Sequence, residues 1–246
     1  MDKPQIIEAI RKAIFPLQDG EGNVVGTCFA VGQGYMASCR HVFYDRNMRE
    51  RANLTVSIYG HEYVPDYKHP DRVEADLVIL QFNDLPTHEV IELGDFERIR
   101  EGDDVLFTGF PLQSQHHVTH HGMISAKGSS RLQIDASVNK GNSGGPCIAL
   151  QDGKPVCVGV IASKMVELDH SKFHSLRQAM TATMQKYESG DRFKYNMALI
   201  VAGTLDAIGP GFNQLDRLVN VGFGEAESVD YPKRALSVIV GPTTIN

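Results

Sequence analysis

Residues 139–148 read "NKGNSGGPCI", and this stretch decides how the rest of the sequence is interpreted. Three glycines and a proline surround one serine, Ser143, with no helical or strand period running through them. Gly141 and Gly144 let the backbone turn sharply, so that N–H groups can converge beside the hydroxyl. Two such donors form an oxyanion hole, which supplies about 3–4 kcal/mol of transition-state stabilisation per donor. The alternative is a plain Gly-rich turn, and the full motif favours the catalytic interpretation.

The composition is that of an ordinary globular protein. The chain has 246 residues, with 42% hydrophobic and 22% charged residues, enough for one large or two small domains. The net charge of −6 comes from 30 acidic and 24 basic residues without a long basic run, which argues against a nucleic-acid partner. No apolar run approaches the roughly 18 residues of a membrane span, so we expect no membrane partner. We also expect no cofactor.

The N-terminal residues and the cysteines predict a cytoplasmic location. "MDKPQIIEAIRKAIFPL" lacks the long apolar core and the cleavage site of an export signal. The four cysteines are sparse and form no C-x-x-C pair: Cys28, Cys39, Cys147 and Cys157. Reduced thiols in a cytosol are the expectation that follows.

Short β-rich runs dominate the chain. A short amphipathic helix is predicted over residues 5–15, and runs such as "VVGTCFAV", "DLVILQF" and "NMALIVAG" follow up to residue 203. Their number and spacing predict two packed barrels, divided near the polar stretch Leu93–Asp104 into domains 1–100 and 101–246. Apolar residues three or four apart predict an inserted helix near 171–188. After Gly209 we expect a short helix, a loop and an apolar run, "ALSVIV".

A serine hydroxyl is a poor nucleophile without a base, and the base needs a carboxylate. His41 follows a β-type run directly, which places it at a strand end. Asp76 is the last charge before the apolar run Leu77–Leu80, where a carboxylate is poorly solvated and needs a partner. Other acids are weaker candidates because nothing places them in the interior: Asp45, Asp71 and Glu74.

His41, Asp76 and Ser143, in this order and in these contexts, resemble the trypsin-like (chymotrypsin-fold) serine proteases, in particular the bacterial HtrA-type branch. The likeness extends to "GTCFAVGQGYMASCRHVF" and "IDASVNKGNSGGP" and covers most of the chain from Val24 to about Ser163. It implies an all-β fold of two packed six-stranded antiparallel barrels, with the N-terminal helix and the inserted helix added.

The resemblance also implies an endopeptidase mechanism and its residues. Ser143 attacks the scissile carbonyl, His41 transfers the proton, and Asp76 orients His41. The amides of Gly141 and Ser143 hold the oxyanion, and the strand around Gly159 pairs with an extended peptide or protein substrate. The substrate-binding residues implied are Ser137, Val138, Val160, Ile161 and Ala162. None is charged, which favours a small or medium apolar residue before the cut.

Two departures from the family concern regulation. Asn142 stands where zymogen-type relatives have an aspartate, so we expect no activation by N-terminal trimming. The residues after Gly209 are too few for the PDZ module of the HtrA-type branch. We expect the inserted helix to be a lid, a docking site for a regulatory protein, or a cap on the barrel flank. The C-terminal tail is a second candidate docking site for a regulatory protein.

Four histidines in "SQHHVTHHG" suggest a zinc site: His116, His117, His120 and His121. On a strand, however, residues four apart lie roughly 13 Å from one another and cannot chelate together, so we expect no metal. A pH-sensitive loop is the alternative.

For the whole chain, two other functions stay open beside the protease: a non-catalytic peptide-binding relative, and a latent protease switched on by a partner.

Overall fold

The structure, a computed structural model, describes residues 2–44, 47–70, 75–111, 114–164, 178–179, 181–186, 199–200 and 223–239. The chain divides into two compact units, Met1–Met165 with Gly222–Asn246, and Val166–Val221. The first unit contains two antiparallel β-sheets, and its buried apolar side chains form one continuous core. In the described part of the chain, no helix has both the length and the apolar character that a membrane crossing requires.

The first sheet has seven strands in the order β5-β4-β1-β2-β3-β7-β6. Its strands are β1 (Ile14–Gln18), β2 (Val24–Gly32), β3 (Tyr35–Cys39), β4 (Thr55–Ile58), β5 (His61–Tyr63), β6 (Tyr67–Pro70) and β7 (Leu77–Gln81). The strand β7, which lies between β3 and the edge strand β6, is apolar and buried at four consecutive positions, as expected of a strand covered on both faces. It pairs with β3 in the register Cys39↔Leu77.

The second sheet is a closed barrel of six strands in the order β10-β13-β12-β11-β8-β9. Its strands are β8 (Asp104–Gly109), β9 (Val118–Lys127), β10 (Arg131–Asp135), β11 (Pro146–Gln151), β12 (Lys154–Lys164) and β13 (Phe223–Ser228). The strands β11 and β12 form a hairpin, and β13 returns to close the barrel between β12 and β10.

Three helices complete the described fold of the first unit: α1 (Lys3–Ile10), α2 (Arg40–Phe43) and α3 (Asp230–Ile239). Asp2 and Gln5 form a reciprocal capping box at the start of α1. The predicted N-terminal helix is confirmed, but it is shorter than expected, because the chain enters β1 at Ile14. Of the predicted inserted helix, residues 178–179 and 181–186 are helical, and its other residues lie outside the described ones.

The predicted two-barrel architecture is confirmed, with one difference in the first sheet. That sheet has seven strands instead of six, and β5 and β6 are its two ends. These edge strands are only three and four residues long, which leaves little backbone for closing the barrel. The predicted boundary at Leu93–Asp104 falls between β7 and β8, and the two-domain division stays a prediction.

Two predictions for the C-terminal third are wrong. Residues 199–200 of the predicted strand "NMALIVAG" are helical, and the other residues of that run lie outside the described ones. The expected loop and apolar run near the C-terminus are the strand β13 and the amphipathic helix α3. A short apolar run fits a strand and a helix equally well. The residues of β13 are mostly polar or small, so no strand pattern could be recognised there.

Candidate active site

The end of β3 brings His41 to Asp76. Helix α2 begins at Arg40, directly after β3, and Asp76 directly precedes β7, so the pairing of these two strands places the residues side by side. The His41 amide donates to Asp76 Oδ1 at 2.9 Å, and Nδ1 of the His41 ring is hydrogen-bonded to Asp76 Oδ2. Because Nδ1 is engaged, Nε2 is the ring atom free to exchange a proton.

This pair faces solvent on the histidine side. The side chain of His41 is 46% exposed and that of Asp76 is 24% exposed. The backbone amide of Arg40 also donates to the Asp76 carbonyl oxygen at 3.1 Å, which fixes the backbone on both sides of the pair. The three acids that the sequence analysis considered weaker candidates all lie outside the described residues: Asp45, Asp71 and Glu74.

Ser143 follows a tight turn with left-handed glycines on either side. Asn142 N donates to Asn139 O at 3.0 Å, and Gly141 has a φ of 97°. A positive φ at the third residue of a hydrogen-bonded four-residue turn is the mark of a type II turn, which requires glycine there. Gly144, after the serine, has a φ of 89°.

The backbone amides of residues 141–145 fall into two groups, those that donate to a carbonyl oxygen and those that have no acceptor. Those of Asn142, Gly144 and Gly145 donate to backbone carbonyls. Those of Gly141 and Ser143 have no acceptor among the described residues. Two unbonded donors therefore flank the serine hydroxyl, as an oxyanion hole requires.

The Ser143 hydroxyl contacts β12, and the backbone of the serine turn approaches α2, which carries His41. Its Oγ donates to the Ala162 carbonyl at 3.2 Å. A Cβ on Gly26 would lie 3.0 Å from the Val42 side chain and 3.4 Å from Ser143 O, so α2 and the serine turn approach the same glycine. The hydroxyl has no hydrogen bond to His41 among the described residues, so proton transfer requires it to rotate away from Ala162.

Thr27 on β2, a residue that the sequence analysis did not identify, ties the serine turn to the first sheet. Its hydroxyl donates to Gly141 O at 2.6 Å and accepts from Phe110 N at 3.1 Å. Its amide donates to Ser143 O at 2.8 Å, and its carbonyl accepts from Ser38 Oγ at 2.8 Å. Thr27 is fully buried. A polar residue inside the apolar strand "VVGTCFAV" is the signal that points to such a role.

Replacing Thr27 with valine is expected to lower the free energy of unfolding by about 2–4 kcal/mol and to weaken activity. Valine has the same shape but leaves Gly141 O and Phe110 N buried without partners, each costing about 1–3 kcal/mol. Urea unfolding measures the loss, and Thr27→Ser, which keeps the hydroxyl, serves as the control. If valine and serine variants are equally stable, the hydroxyl does not hold the turn.

The predicted substrate strand has a free edge beyond the end of β11. β12 pairs with β13 up to Lys164, whereas its pairing with β11 ends at Val160. Ile161 then bonds through its N–H to Gly145 O and through its carbonyl to Gly144 N. In the described part of the chain, the backbone after Ala162 has no strand partner on this side, so an extended peptide can add there.

The predicted pocket residues lie around this edge, mostly below the surface. Val160 and Ile161 are fully buried, while Val138 is 3% and Ala162 is 5% exposed. Val138 packs so closely on Gly224 that a Cβ there would lie 2.1 Å from Val138 Cγ2. Ser137 is partly exposed. The assignment of these five residues to substrate binding stays a prediction.

Cys39 lies directly below the histidine–aspartate pair. It is fully buried, its Sγ donates to Ile161 O at 3.0 Å, and burial raises the pKa of its thiol well above the usual value. One donor atom each from Cys39, His41 and Asp76 lies within 4.8 Å of the others. The raised pKa keeps the thiol protonated and His41 engages Asp76, so neither group offers a free anionic ligand to a metal.

The histidines of "SQHHVTHHG" have separate surroundings. His117 Nε2 is 2.9 Å from Ile14 O, and His121 Nε2 is 2.7 Å from Asp104 Oδ1. The His120 ring stacks on Phe107 with 4.8 Å between centroids, and its burial lowers its pKa. His117 thus contacts β1, whereas His120 and His121 contact two different residues of β8, so each of the three rings has its own partner.

Known proteins resemble this chain most clearly in the part that carries the site. A family model described as a trypsin-like peptidase domain matches residues 26–160. A Pseudomonas fulva (strain 12-X) protein named probable periplasmic serine endoprotease DegP-like is 31% identical over 150 residues, 55% of this chain and 29% of that protein. A relative of the same name from Rhizobium meliloti (strain 1021) is 30% identical over 135 residues, 50% of this chain and 25% of that protein. The chain therefore matches less than a third of these relatives' length.

Solved structures share the fold. The HtrA-type protease AlgW with tripeptide has a TM-score of 0.61 and 18% identity, covering 98% of this chain and 65% of that one. The serine endoprotease from Yersinia pestis has a TM-score of 0.54 and 23% identity, covering 67% of this chain and 58% of that one.

The predicted cytoplasmic location is wrong, because the matched relatives are named periplasmic serine endoproteases. The four cysteines on which the prediction partly rested are buried free thiols. A thiol that is buried away from solvent and oxidants stays reduced in an oxidising compartment as well, so free cysteines do not indicate a cytosol.

Proposed function

Because this chain belongs to the trypsin-like peptidase family, we propose that it is a serine endopeptidase that cleaves peptide or protein chains through an acyl-enzyme. The observation that carries the proposal is the pair of unbonded amides, Gly141 and Ser143, on a type II turn beside the Ser143 hydroxyl. A glycine-rich turn that served structure alone would have no reason to leave two neighbouring amides without an acceptor.

The proposed reaction follows from the positions of three side chains. The Ser143 oxygen attacks the scissile carbonyl carbon while its proton passes to Nε2 of His41. The two free amides hold the resulting oxyanion. Asp76, bonded to Nδ1, stabilises the imidazolium, which then gives its proton to the leaving amine as the peptide bond breaks. Water repeats these steps on the ester and frees Ser143.

An extended peptide is the proposed substrate. It would add as a strand along the free edge of β12 after Ala162, where backbone hydrogen bonds give affinity with little sequence preference. Ser137, Val138, Val160, Ile161 and Ala162 are proposed to form the pocket beside that edge. Since none of them is charged, a small or medium apolar side chain fits before the cut. The similar protease AlgW is described with a tripeptide and with a decapeptide, which supports this class of substrate.

A fluorophosphonate probe tests the proposal, since it reacts with a serine only where base and oxyanion hole are both competent. We expect the wild-type protein to be labelled stoichiometrically and Ser143→Ala to lose all labelling. Ser125→Ala is the matched control, because Ser125 on β9 bonds to Gln133 O, within the barrel wall. Labelling is read by intact mass.

Two results would replace the proposal with one of its alternatives. Folded wild-type protein that takes no probe yet binds peptides would be a peptide-binding relative without catalysis. Labelling that begins only when a second protein is added would identify a latent protease. Equal labelling of Ser143→Ala and wild type would place the reactive serine elsewhere.

A further inference from the structure

An open pocket beside β1 lies apart from His41, Asp76 and Ser143, none of which lines it. Its walls come from α1, the 3-10 turn Arg11–Ala13, β1, β4 with Tyr59 after it, and residues between 115 and 119 after β8. Its volume is about 580 Å³, which is within the range of ligand-binding pockets. This cavity, the β1 pocket, is not used by the proposed reaction.

Aromatic rings held by their neighbours line the β1 pocket. The buried Phe15 ring meets the Tyr59 ring edge-on with 6.2 Å between centroids, and Tyr59 is 61% exposed. The Phe110 ring contacts the His117 ring at 4.6 Å, and His117 Nε2 is 2.9 Å from Ile14 O. These contacts join β1 to the chain that follows β8. The pocket therefore offers fixed rings against which an apolar side chain can pack.

The β1 pocket is positively charged in a chain whose net charge is −6. Arg11 and Lys12 line it together with His116 and His117, and among the described residues no Asp or Glu does. Arg11 Nη1 is 3.2 Å from Glu8 Oε2, one turn back on α1, so this guanidinium already has a partner. Lys12 has no ion pair among the described residues. The charge of Lys12 therefore favours an anionic ligand over a cationic one.

The β1 pocket is connected to the serine turn through Thr27. Pro16 is the partner of Thr27 across the β1–β2 pair, and Phe110 donates its amide to Thr27 Oγ1 at 3.1 Å. Thr27 in turn bonds to Gly141 and Ser143. A Cβ on Gly141 would lie 2.2 Å from Phe110 O. Because Phe110 both lines the pocket and touches the serine turn, one polypeptide can reach both.

We propose that the β1 pocket is a second substrate-binding site, which holds an acidic segment of the chain being cleaved. An apolar side chain of that segment packs on Phe15 and Tyr59, and its carboxylates lie near Lys12. This inference rests on the proposed function, because it identifies the occupant as part of the substrate. Since the segment binds outside the reacting centre, it stabilises substrate and transition state equally and lowers KM without changing kcat. Two linked contacts raise the affinity beyond that of either alone.

Peptide binding to Ser143→Ala protein tests the site without turnover. The probe is the fluorescein-labelled peptide Asp-Asp-Phe-Asp-Asp, followed by fluorescence anisotropy. We expect saturable binding that weakens with added salt and about tenfold on adding Lys12→Glu. Lys3→Glu is the matched control, because it changes the net charge equally from the start of α1 and does not line the pocket; its Kd should stay within about twofold.

Two further peptides separate the charge from the ring. Asn-Asn-Phe-Asn-Asn lacks the carboxylates, and Asp-Asp-Gly-Asp-Asp lacks the aromatic side chain, so we expect each to bind about tenfold more weakly. Three results would overturn the proposal: equal binding of the acidic peptide with and without Lys12→Glu, equal binding of the uncharged peptide, or no saturation up to about 1 mM.

Cleavage of two matched substrates shows whether the site serves the reaction. One unfolded protein carries an Asp-Asp-Phe-Asp-Asp segment and the other carries Asn-Asn-Phe-Asn-Asn in its place. We expect KM to be about 3- to 10-fold lower for the acidic substrate at equal kcat, and Lys12→Glu to abolish this difference. Equal KM values for both substrates would contradict the proposal. Peptide binding without fluorophosphonate labelling would remove the protease assignment and leave a peptide site, whereas labelling without peptide binding would remove this inference alone.

Discussion

Asp76→Asn is expected to lower kcat/KM by about four orders of magnitude at neutral pH while the protein stays folded. Asp76 accepts from the His41 amide at 2.9 Å and holds the ring through Nδ1. Asparagine can keep the first bond, but its NH₂ group facing Nδ1 forces the ring into the tautomer with the proton on Nε2. That ring cannot take the proton of Ser143. Steady-state cleavage of an unstructured protein, compared at equal concentrations, measures the loss.

The chain offers a matched control for this substitution. His121 Nε2 and Asp104 Oδ1 are 2.7 Å apart at the surface of the barrel, a second histidine–aspartate pair outside the site. Asp104→Asn should leave kcat/KM within twofold of the wild type. If Asp76→Asn also stayed within tenfold, Asp76 would not be the acid that orients His41.

Gly144→Ala is expected to cost more than about 4 kcal/mol of unfolding free energy, the range reached only by severe steric or burial defects. The residue has a φ of 89°, which a side chain rarely adopts. A Cβ there would lie 2.0 Å from Thr27 O and 2.3 Å from Ser38 Oγ. These neighbours are buried parts of the first sheet and cannot move aside without losing their own hydrogen bonds. The serine turn has to shift, so probe labelling should be lost as well.

Gly153→Ala is the control that measures the cost of a left-handed backbone without the steric clash that a Cβ at Gly144 would cause. Gly153 has a φ of 76°, and a Cβ there would have no described atom within 4 Å. Only the cost of a left-handed residue remains, about 1–2 kcal/mol. Urea unfolding of both variants gives the comparison. Equal losses would mean that Gly144 is not packed against β2 as closely as described.

The contact between His41 and Asp76 could be predicted from the sequence because both residues stand at the ends of apolar runs. His41 follows "YMASC" and Asp76 precedes "LVIL", and these two runs are neighbouring strands in the first sheet. A residue at the end of a buried strand reaches the surface whatever the register. The glycines around Ser143 were equally informative, since the positive φ at Gly141 and Gly144 requires their residue type.

Thr27 and the β1 pocket were missed for a physical reason. Each depends on a contact between residues about a hundred positions apart, such as the bond from Thr27 to Gly141 or the contact of His117 with Ile14. A local pattern can mark a polar residue in an apolar strand, as at Thr27, but it does not show which distant residue that side chain contacts. In addition, "FGEAES" has too few apolar residues to be predicted as a strand, so the closure of the barrel by β13 could not be foreseen.

The four hydrogen bonds of Thr27 have a consequence for biosynthesis. Two of them join β2, made early, to Gly141 and Ser143 of the serine turn, made more than a hundred residues later. A nascent chain that has formed only its first sheet contains His41 and Asp76 but does not yet hold Ser143 beside them. If Ser143 is the nucleophile, as proposed, proteolytic activity is expected only after the second sheet has folded, and a partly synthesised chain should not cleave itself.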